Sequence, residues 1–278
     1  MTVVPPIDPW SLVLSGAGFA ATHPTEIQET WDRIWSGLTQ QNAKIVVTGL
    51  PGVGKTVLLD HIAGRASTPT YQLPGRSYAP EKERLKHEKQ RWAITVMPGQ
   101  KSPVRTESIE KAFNHGRKID GVIHVVANGY SSLRDPIAEQ ILVEEGGTLA
   151  RHRKEQMDLE LTDFDSVAAE FRRAIQRKSN HPWLLVAVNK WDLFSDDTAT
   201  KAAKRYYGMP GGTFYSRVDE LGHEAGSDNL SYEIVAVASW LEDFTYGTEV
   251  AKFSMRTDQR NRSLLNLVRT ISSLCERA

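Results

Sequence analysis

Residues 49–56 read Gly-Leu-Pro-Gly-Val-Gly-Lys-Thr (GLPGVGKT) and fit the phosphate-loop pattern G-x-x-x-x-G-K-[ST]. Glycines allow the backbone to curl so that successive N–H groups face phosphate oxygens, and the following helix adds its positive N-terminal end. In this pattern Lys55 reaches the β- and γ-phosphates, and the Thr56 hydroxyl ligates Mg²⁺. A chance match in a chain of this length is expected about one time in a hundred. The motif therefore predicts a nucleotide site formed by Gly49, Pro51, Gly52, Val53, Gly54, Lys55, Thr56 and Val57.

The residues on either side of this loop predict the local structure that the motif requires. The β-branched run KIVVT, residues 44–48, predicts a strand that leads into the loop. The residues after the loop suit a helix that packs on a sheet and ends near Gly64; its apolar members are Val57, Leu58, Leu59 and Ile62. Strand, loop and helix in this order are the context that supports phosphate binding.

Apolar strands and amphipathic helices alternate along the rest of the chain. Further strands are predicted at 92–97, 121–128, 183–188 and 233–238. Helices are predicted at 27–38, around Val167 to Ile175 and around Leu264 to Leu274. This alternation predicts an α/β fold, a mostly parallel sheet with helices on both faces.

We divide the chain into an N-terminal arm and helix at 1–43 and a nucleotide-binding domain at 44–278. Within that domain, residues 129–163 are predicted to be an insertion, partly helical around 148–157.

The composition excludes several classes of function. The 34 lysines and arginines balance the 34 aspartates and glutamates, which argues against a chain that coats nucleic acid. Cys275 is the single cysteine, so no internal disulfide forms and a cytoplasmic location is expected. The apolar stretch at 10–21 is too short to span a bilayer. The charged run EKERLKHEKQR, residues 81–91, is interpreted as a solvated hairpin or helix face rather than a specific binding patch.

The tetrapeptide NKWD, residues 189–192, follows a predicted strand at the edge of the sheet where α/β proteins bind ligands. A carboxylate at Asp192 accepts hydrogen bonds from N1–H and the exocyclic amine of guanine, whereas adenine presents a bare acceptor at N1. Because unpaired polar groups are costly, this residue predicts selectivity for guanine. Two alternatives stay open: an Asn-Lys turn followed by a helix-capping aspartate, and an ATP-using protein in which NKWD is accidental.

The order GLPGVGKT, then MPGQ at 97–100, then NKWD resembles the Ras-like GTPases of the translation-factor class. The resemblance covers roughly residues 44–275 without the predicted insertion. It implies that Asn189 braces the phosphate loop, that the stem of Lys190 stacks on the base, and that Asp192 binds guanine. It also implies that Ala238 and Ser239 supply the last, weak motif, whose backbone N–H contacts the guanine oxygen.

One position departs from the pattern of that family. The third motif of these GTPases is D-x-x-G, in which the aspartate holds Mg²⁺ through water, but this chain has Val96 there. Gly99 matches the glycine that contacts the γ-phosphate, and Gln100 matches the residue that positions the attacking water. A valine offers no ligand to a hydrated metal, so hydrolysis is in doubt although nucleotide binding is not. The replacement candidates are Asp60 and the acids of 129–163.

A switch threonine that closes on Mg²⁺ and the γ-phosphate is expected between residues 65 and 80. Thr68, Thr70 and Ser77 all qualify by position, and Thr70 is favoured as the metal ligand. Pro51 stands where many relatives have glycine; it fixes φ and removes an N–H, and a loop-stiffening role is favoured over a catalytic one.

These residues support two functions. The first is a slow GTPase that hydrolyses GTP to GDP and phosphate as a molecular switch, with Lys55 and Gln100 as catalytic residues and Mg²⁺ as cofactor. The second is a nucleotide-dependent binding or scaffold protein without useful turnover. Gln100 favours the first and Val96 favours the second. In either case a protein partner is expected at the switch loops or at 129–163.

Overall fold

The computed structural model describes residues 10, 44–63, 65–67, 70–74, 81–87, 90–97, 103–114, 119–133, 136–178, 181–226 and 229–277. The helix predicted at 27–38 lies outside this part of the chain. Within it, the strands are β1 (Lys44–Thr48), β2 (Glu81–His87), β3 (Gln90–Val96), β4 (Gly121–Val126), β5 (Trp183–Val188), β6 (Ser231–Ala236), β7 (Phe244–Tyr246) and β8 (Glu249–Ala251). The helices are α1 (Lys55–Ile62), α2 (Pro103–Asn114), α3 (Pro136–Glu144), α4 (Leu149–Lys178), α5 (Asp197–Gly208), α6 (Thr213–Ala225) and α7 (Thr257–Arg277).

The main sheet has the strand order β2-β3-β1-β4-β5-β6. The strands from β3 to β6 are parallel, and β2 pairs antiparallel with β3 at the edge. Every residue of β4 and β5 is buried, as expected for parallel strands that are covered on both faces. The predicted fold class, a mostly parallel sheet with helices on both faces, is confirmed.

Alternate residues of β1, β4, β5 and β6 enter two separate apolar cores. In β1, Val46 packs in the first core, whereas Ile45 and Val47 pack in the second. Helices α2, α4, α5 and α6 cover the first core, and α1 and α7 cover the second. Because the central strands are parallel, the loops that follow β1, β4, β5 and β6 leave the sheet at one edge.

Within the charged run, residues 81–87 form strand β2, and residues 90–91 begin β3. The two strands pair antiparallel from Glu81 opposite Val96 to His87 opposite Gln90. Of the two structures considered for this run, the hairpin is therefore the one that the protein adopts.

Helix α4 is longer than the sequence predicts. The predicted helical stretch at 148–157 and the amphipathic helix around 167–175 are parts of one helix of 30 residues. The reason is the chemistry of its buried face: the C-terminal half buries apolar side chains such as Phe171, but the N-terminal half buries His152, Gln156 and Glu160. Apolar periodicity does not detect a polar buried face. The bounds of the insertion at 129–163 stay a prediction.

Four elements have no counterpart in the sequence prediction: helices α2 and α3 and the two strands of the β7–β8 hairpin. The predicted last strand at 233–238 corresponds to β6, which spans 231–236. Val237 and Ala238 are fully buried, as their apolar character predicts, but they follow the last residue that pairs with β5. Among the described helices, none is long and apolar enough to cross a bilayer.

Trp10 is buried against the domain, with 3% of its surface exposed. Its ring makes an edge contact with Trp191, with 6.3 Å between the ring centroids. Gly208, the last residue of α5, lies directly beside it: a Cβ at this position would come within 2.8 Å of Trp10 Nε1. The indole therefore occupies space that only glycine leaves free.

Candidate nucleotide-binding site

The phosphate loop connects the end of β1 to the start of α1. Gly49 has φ 130°, and a Cβ there would lie 2.1 Å from the carbonyl oxygen of Val125. Gly54 has φ 88°, and a Cβ there would lie 2.5 Å from Asn189 Nδ2. Both positions combine a left-handed backbone with a close neighbour, so the glycines of the motif are required by geometry.

Lys55 is the first residue of α1 and is only 8% exposed. Its Nζ donates to the carbonyl oxygens of Gly49 at 2.8 Å and Leu50 at 2.7 Å. The ammonium thus lies inside the curl of the loop, where a phosphate oxygen would also lie.

Asn189 joins three loops at the edge of the sheet. Its Nδ2 donates to the Val53 carbonyl at 2.8 Å and to Ser239 Oγ at 2.9 Å. The backbone N–H of Ser239 donates to Asn189 Oδ1 at 3.0 Å, and that of Ala238 donates to Ser263 Oγ at 3.1 Å. The phosphate loop, the NKWD segment and the loop after β6 therefore hold one another in place.

Lys190 has φ 59°, and its ammonium group makes one hydrogen bond and one cation–π contact. Its Nζ donates to the Tyr130 carbonyl at 2.5 Å and lies 5.2 Å from the centroid of the Phe244 ring. Burial lowers the pKa of Lys190 to about 8, although the carboxylates of Asp192, Glu160 and Glu242 act against this decrease.

Asp192 is 1% exposed, and among the described residues its Oδ1 has no hydrogen-bond partner. Burial raises the pKa of this carboxyl to about 7, although hydrogen bonds from the backbone N–H groups of Asp192 and Glu242 lower it in part. An unpaired oxygen in so buried a place is costly unless a ligand supplies the missing donor.

One cavity of about 600 Å³ connects these groups. Pro51, Gly52, Gly54, Lys55, Thr56 and Val57 line its phosphate-loop end, and Lys190, Asp192, Leu193, Ser239 and Phe244 line the other end. Gly49, Val53, Asn189 and Ala238, also predicted as site residues, are not in its wall. The volume is within the range of small-molecule sites.

Val96 forms part of the wall at the phosphate-loop end and is 4% exposed. The carboxylates that line the described cavity are Asp192, Glu242 and Asp243, all in the NKWD segment or the loop after β6. Asp60 is occupied elsewhere, because it pairs with the Arg65 guanidinium and accepts a 2.7 Å hydrogen bond from Tyr71. At this end of the described cavity, the side-chain oxygens in the wall are those of Thr56, which the phosphate-loop pattern assigns to Mg²⁺, and of Ser132, which lies beside Gly52.

The predicted switch residues are only partly described. Thr70 is exposed and does not line the cavity, whereas Leu73 and Pro74 of the same segment do. Thr68, Ser77, Gly99 and Gln100 lie outside the described residues. No group of three or more His, Cys, Asp or Glu side chains within the described ranges is arranged to hold a metal ion. The residues present therefore fit Mg²⁺ in part: Thr56 would hold it together with phosphate oxygens and water.

Several residues in or beside the cavity were not predicted from the sequence, and four of them bear on its chemistry or its base end. Ser132 and Leu133 line it after β4, and Tyr130 accepts the hydrogen bond from Lys190. Their place after a parallel strand is a signal that could have been used. Phe244 had no such signal, because β7 is only three residues long.

A phosphate loop at the carboxyl edge of a parallel sheet, with a buried carboxylate at the far end of the same cavity, defines a P-loop nucleotide-binding protein. Residues 44–190, more than half of the chain, match the family described as 50S ribosome-binding GTPase. The chain belongs to this GTPase family, and this membership supports guanine nucleotide binding.

Several solved structures are similar. Toc33 from Arabidopsis thaliana in complex with Mg²⁺ and GMPPNP is 14% identical with a TM-score of 0.48, and 96% of each chain is covered. The signal recognition particle receptor SRb-GTP/SRX complex from Chaetomium thermophilum is 12% identical with a TM-score of 0.43, covering 73% of this chain and 93% of that chain. The small COPII coat GTPase SAR1 from Encephalitozoon cuniculi in complex with GDP is 12% identical with a TM-score of 0.41, and 90% of each chain is covered. A search of curated proteins gives no match.

Proposed function

We propose that this protein binds GTP and GDP selectively and hydrolyses GTP slowly to GDP and phosphate as a molecular switch. The observation that carries the proposal is the buried Oδ1 of Asp192, which lacks a partner among the described residues at the end of the cavity opposite the phosphate loop. Guanine presents N1–H and an amine to such an oxygen, and adenine presents a lone pair. The cavity therefore selects guanine by the cost of unpaired polar groups.

The roles of the individual residues follow from their places. Lys55 and the N–H groups of the phosphate loop stabilise negative charge on the phosphates, and the Thr56 hydroxyl ligates Mg²⁺. Mg²⁺, when bound, neutralises charge on the β- and γ-phosphates. Gln100 orients the attacking water, as its match to the family motif suggests. Thr70 reaches the site only if its segment moves inward when nucleotide binds.

A second candidate function is supported by Val96. A GTPase that lacks the metal-holding aspartate, and whose described cavity has no carboxylate at the phosphate-loop end, is suited to holding nucleotide without useful turnover. The protein would then act as a nucleotide-dependent binding or scaffold protein.

We also propose a family class, a location and a partner for this protein. The resemblance of the three motifs supports the translation-factor class with a degenerate third motif. We also propose a cytoplasmic location and a protein partner that contacts the switch loops or the segment 129–163.

Two measurements on the full chain distinguish the candidates. Affinities for GDP, GTP, ADP and ATP should differ by at least about 100-fold in favour of guanine, because two hydrogen bonds to a charged group are lost with adenine. Single-turnover hydrolysis of GTP should be slow but measurable and should disappear in Gln100→Ala. Tight GTP binding without turnover would establish the second candidate, and equal affinities for ATP and GTP would refute both.

A further inference from the structure

The ammonium of Lys190 is held by two elements outside the sequence motifs of the site. Its Nζ donates to the Tyr130 carbonyl in the loop after β4, at 2.5 Å. The ring of Phe244, from strand β7, lies 5.2 Å away and is 7% exposed in the cavity wall. The charged end of Lys190 is thus fixed by two contacts, and the residue lines the cavity.

His152 of helix α4 contacts both of these elements. Its ring stacks on Phe244, with 6.1 Å between centroids and planes 18° apart. It stacks more closely on Tyr246, at 4.4 Å and 20°. Its Nε2 lies 2.9 Å from the Ser131 carbonyl oxygen, next to Tyr130 in the chain. One buried imidazole therefore fixes the β7–β8 hairpin and the loop after β4 relative to each other.

The same face of α4 fixes the rest of that loop. The Arg153 guanidinium lies 4.2 Å from the centroid of the Tyr130 ring. Gln156 accepts a 2.8 Å hydrogen bond from Ser131 Oγ, and Glu160 accepts one of 2.8 Å from the N–H of Ala127. Burying polar side chains is costly unless each is hydrogen-bonded, and here the bonds go to the loop that carries Tyr130.

We propose that Phe244 and His152 are positioning residues for the guanine nucleotide: they hold Lys190 so that its stem packs on the base. The inference rests on the proposed function, because it needs a base bound beside Asp192. It gives residues 149–160, within the predicted insertion, a role at the nucleotide site. The physical basis is preorganisation, since a lysine stem that is already fixed loses little freedom when the base binds.

The test uses the Kd values of the full chain for GDP and inosine diphosphate (IDP), which lacks the exocyclic amine. Phe244→Leu keeps an apolar side chain but removes the aromatic face, and both Kd values should rise by about 3- to 30-fold. The ratio of the two values should not change, because stacking on Lys190 does not involve the amine. Phe244→Tyr, which keeps the aromatic face, should bind both nucleotides like the wild type. His152→Leu should weaken both affinities by a smaller factor than Phe244→Leu.

Phe171→Leu is the matched control. Phe171 is also a buried phenylalanine, 1% exposed, but it lies in the other half of α4 against Phe113. This variant should lose comparable thermal stability and keep wild-type Kd values. The inference is overturned if Phe244→Leu and His152→Leu fold and bind GDP like the wild type, or if Phe171→Leu weakens binding equally. A wild-type chain that does not prefer GDP to ADP would instead refute the proposed function itself.

Discussion

Replacing Asp192 by Asn tests base recognition with little change of shape. Asp192 is 1% exposed, and its Oδ1 lacks a hydrogen-bond partner among the described residues. Two hydrogen bonds from guanine to this charged group are worth about 3 kcal/mol or more, so the Kd for GDP should rise at least about 100-fold. Affinity for xanthosine diphosphate should increase, because the 2-oxo group of xanthine accepts a hydrogen bond from the asparagine amide.

The same carboxyl makes guanine affinity depend on pH. Burial raises the pKa of Asp192 to about 7 in the nucleotide-free protein, so below that pH the carboxyl must lose a proton before it accepts the N1–H of guanine. Bound guanine favours the ionised form and lowers this pKa in the complex. The affinity for GDP should therefore be highest above pH 7 and fall by up to about tenfold per pH unit below it. Asp192→Asn should remove this dependence.

The stability of the nucleotide-free protein depends on pH in the opposite direction from its affinity for GDP. The folded protein keeps the Asp192 proton up to about pH 7, whereas the unfolded chain releases it near the ordinary value of 3.8. Stability therefore falls as the pH rises between these two values, by at most about 4 kcal/mol. Nucleotide-free Asp192→Asn should unfold at a higher temperature than the wild type at about pH 8, and the difference should vanish near pH 4.

The assay is calorimetric titration with GDP and with xanthosine diphosphate between about pH 4 and pH 8. Thermal unfolding of the nucleotide-free proteins is measured over the same range. Glu242→Gln is the control, because Glu242 is an exposed acid in the wall of the same cavity. It should leave the preference for guanine unchanged. Unaltered GDP affinity in Asp192→Asn, or a wild-type Kd that does not change across pH 7, would refute the reasoning.

Three further substitutions test the rest of the site. Lys55→Ala should weaken GDP binding at least about 100-fold while the protein stays folded by circular dichroism, since the ammonium acts on the phosphates; retained affinity would contradict this. Val96→Asp should make GTP affinity more dependent on Mg²⁺ and raise the single-turnover rate, and adding Gln100→Ala should cancel that gain; a wild type with ordinary Mg²⁺ dependence and turnover would show the idea to be wrong. Asn189→Ala should lower the free energy of unfolding by about 1–3 kcal/mol in urea and weaken GDP binding, because it unties three loops; an unchanged unfolding midpoint would count against it.

The sequence predicts the sheet and the two ends of the cavity because both leave strong local patterns. Strands such as β4 and β5 are uninterrupted apolar runs, and a phosphate loop needs glycines at fixed places whatever the rest of the chain does. The spacing from Lys55 to Asp192 is not local, but each residue follows a predicted strand. Since parallel strands end at one edge, the two motifs could be placed together before any coordinates were known.

The support behind the base site could not be predicted in the same way. His152, Gln156 and Glu160 are polar residues that look like a solvent-exposed helix face, and only the tertiary structure shows that they are buried against a loop. Phe244 lies in a three-residue strand, which is too short to give an alternating pattern.

The indole of Trp10 packs directly against the backbone of Gly208. Any side chain at position 208 would have to occupy the space of the indole, because a Cβ there is already 2.8 Å from Trp10 Nε1. The partner of that indole is Trp191, whose own Nε1 donates to Thr200 Oγ1 at 3.1 Å and whose neighbour in the chain is Asp192. Displacing Trp10 would therefore remove the aromatic packing of Trp191, the residue next to the proposed guanine-binding carboxylate. Trp10 does not line the cavity itself, yet its ring supports the residue that precedes Asp192 in the chain.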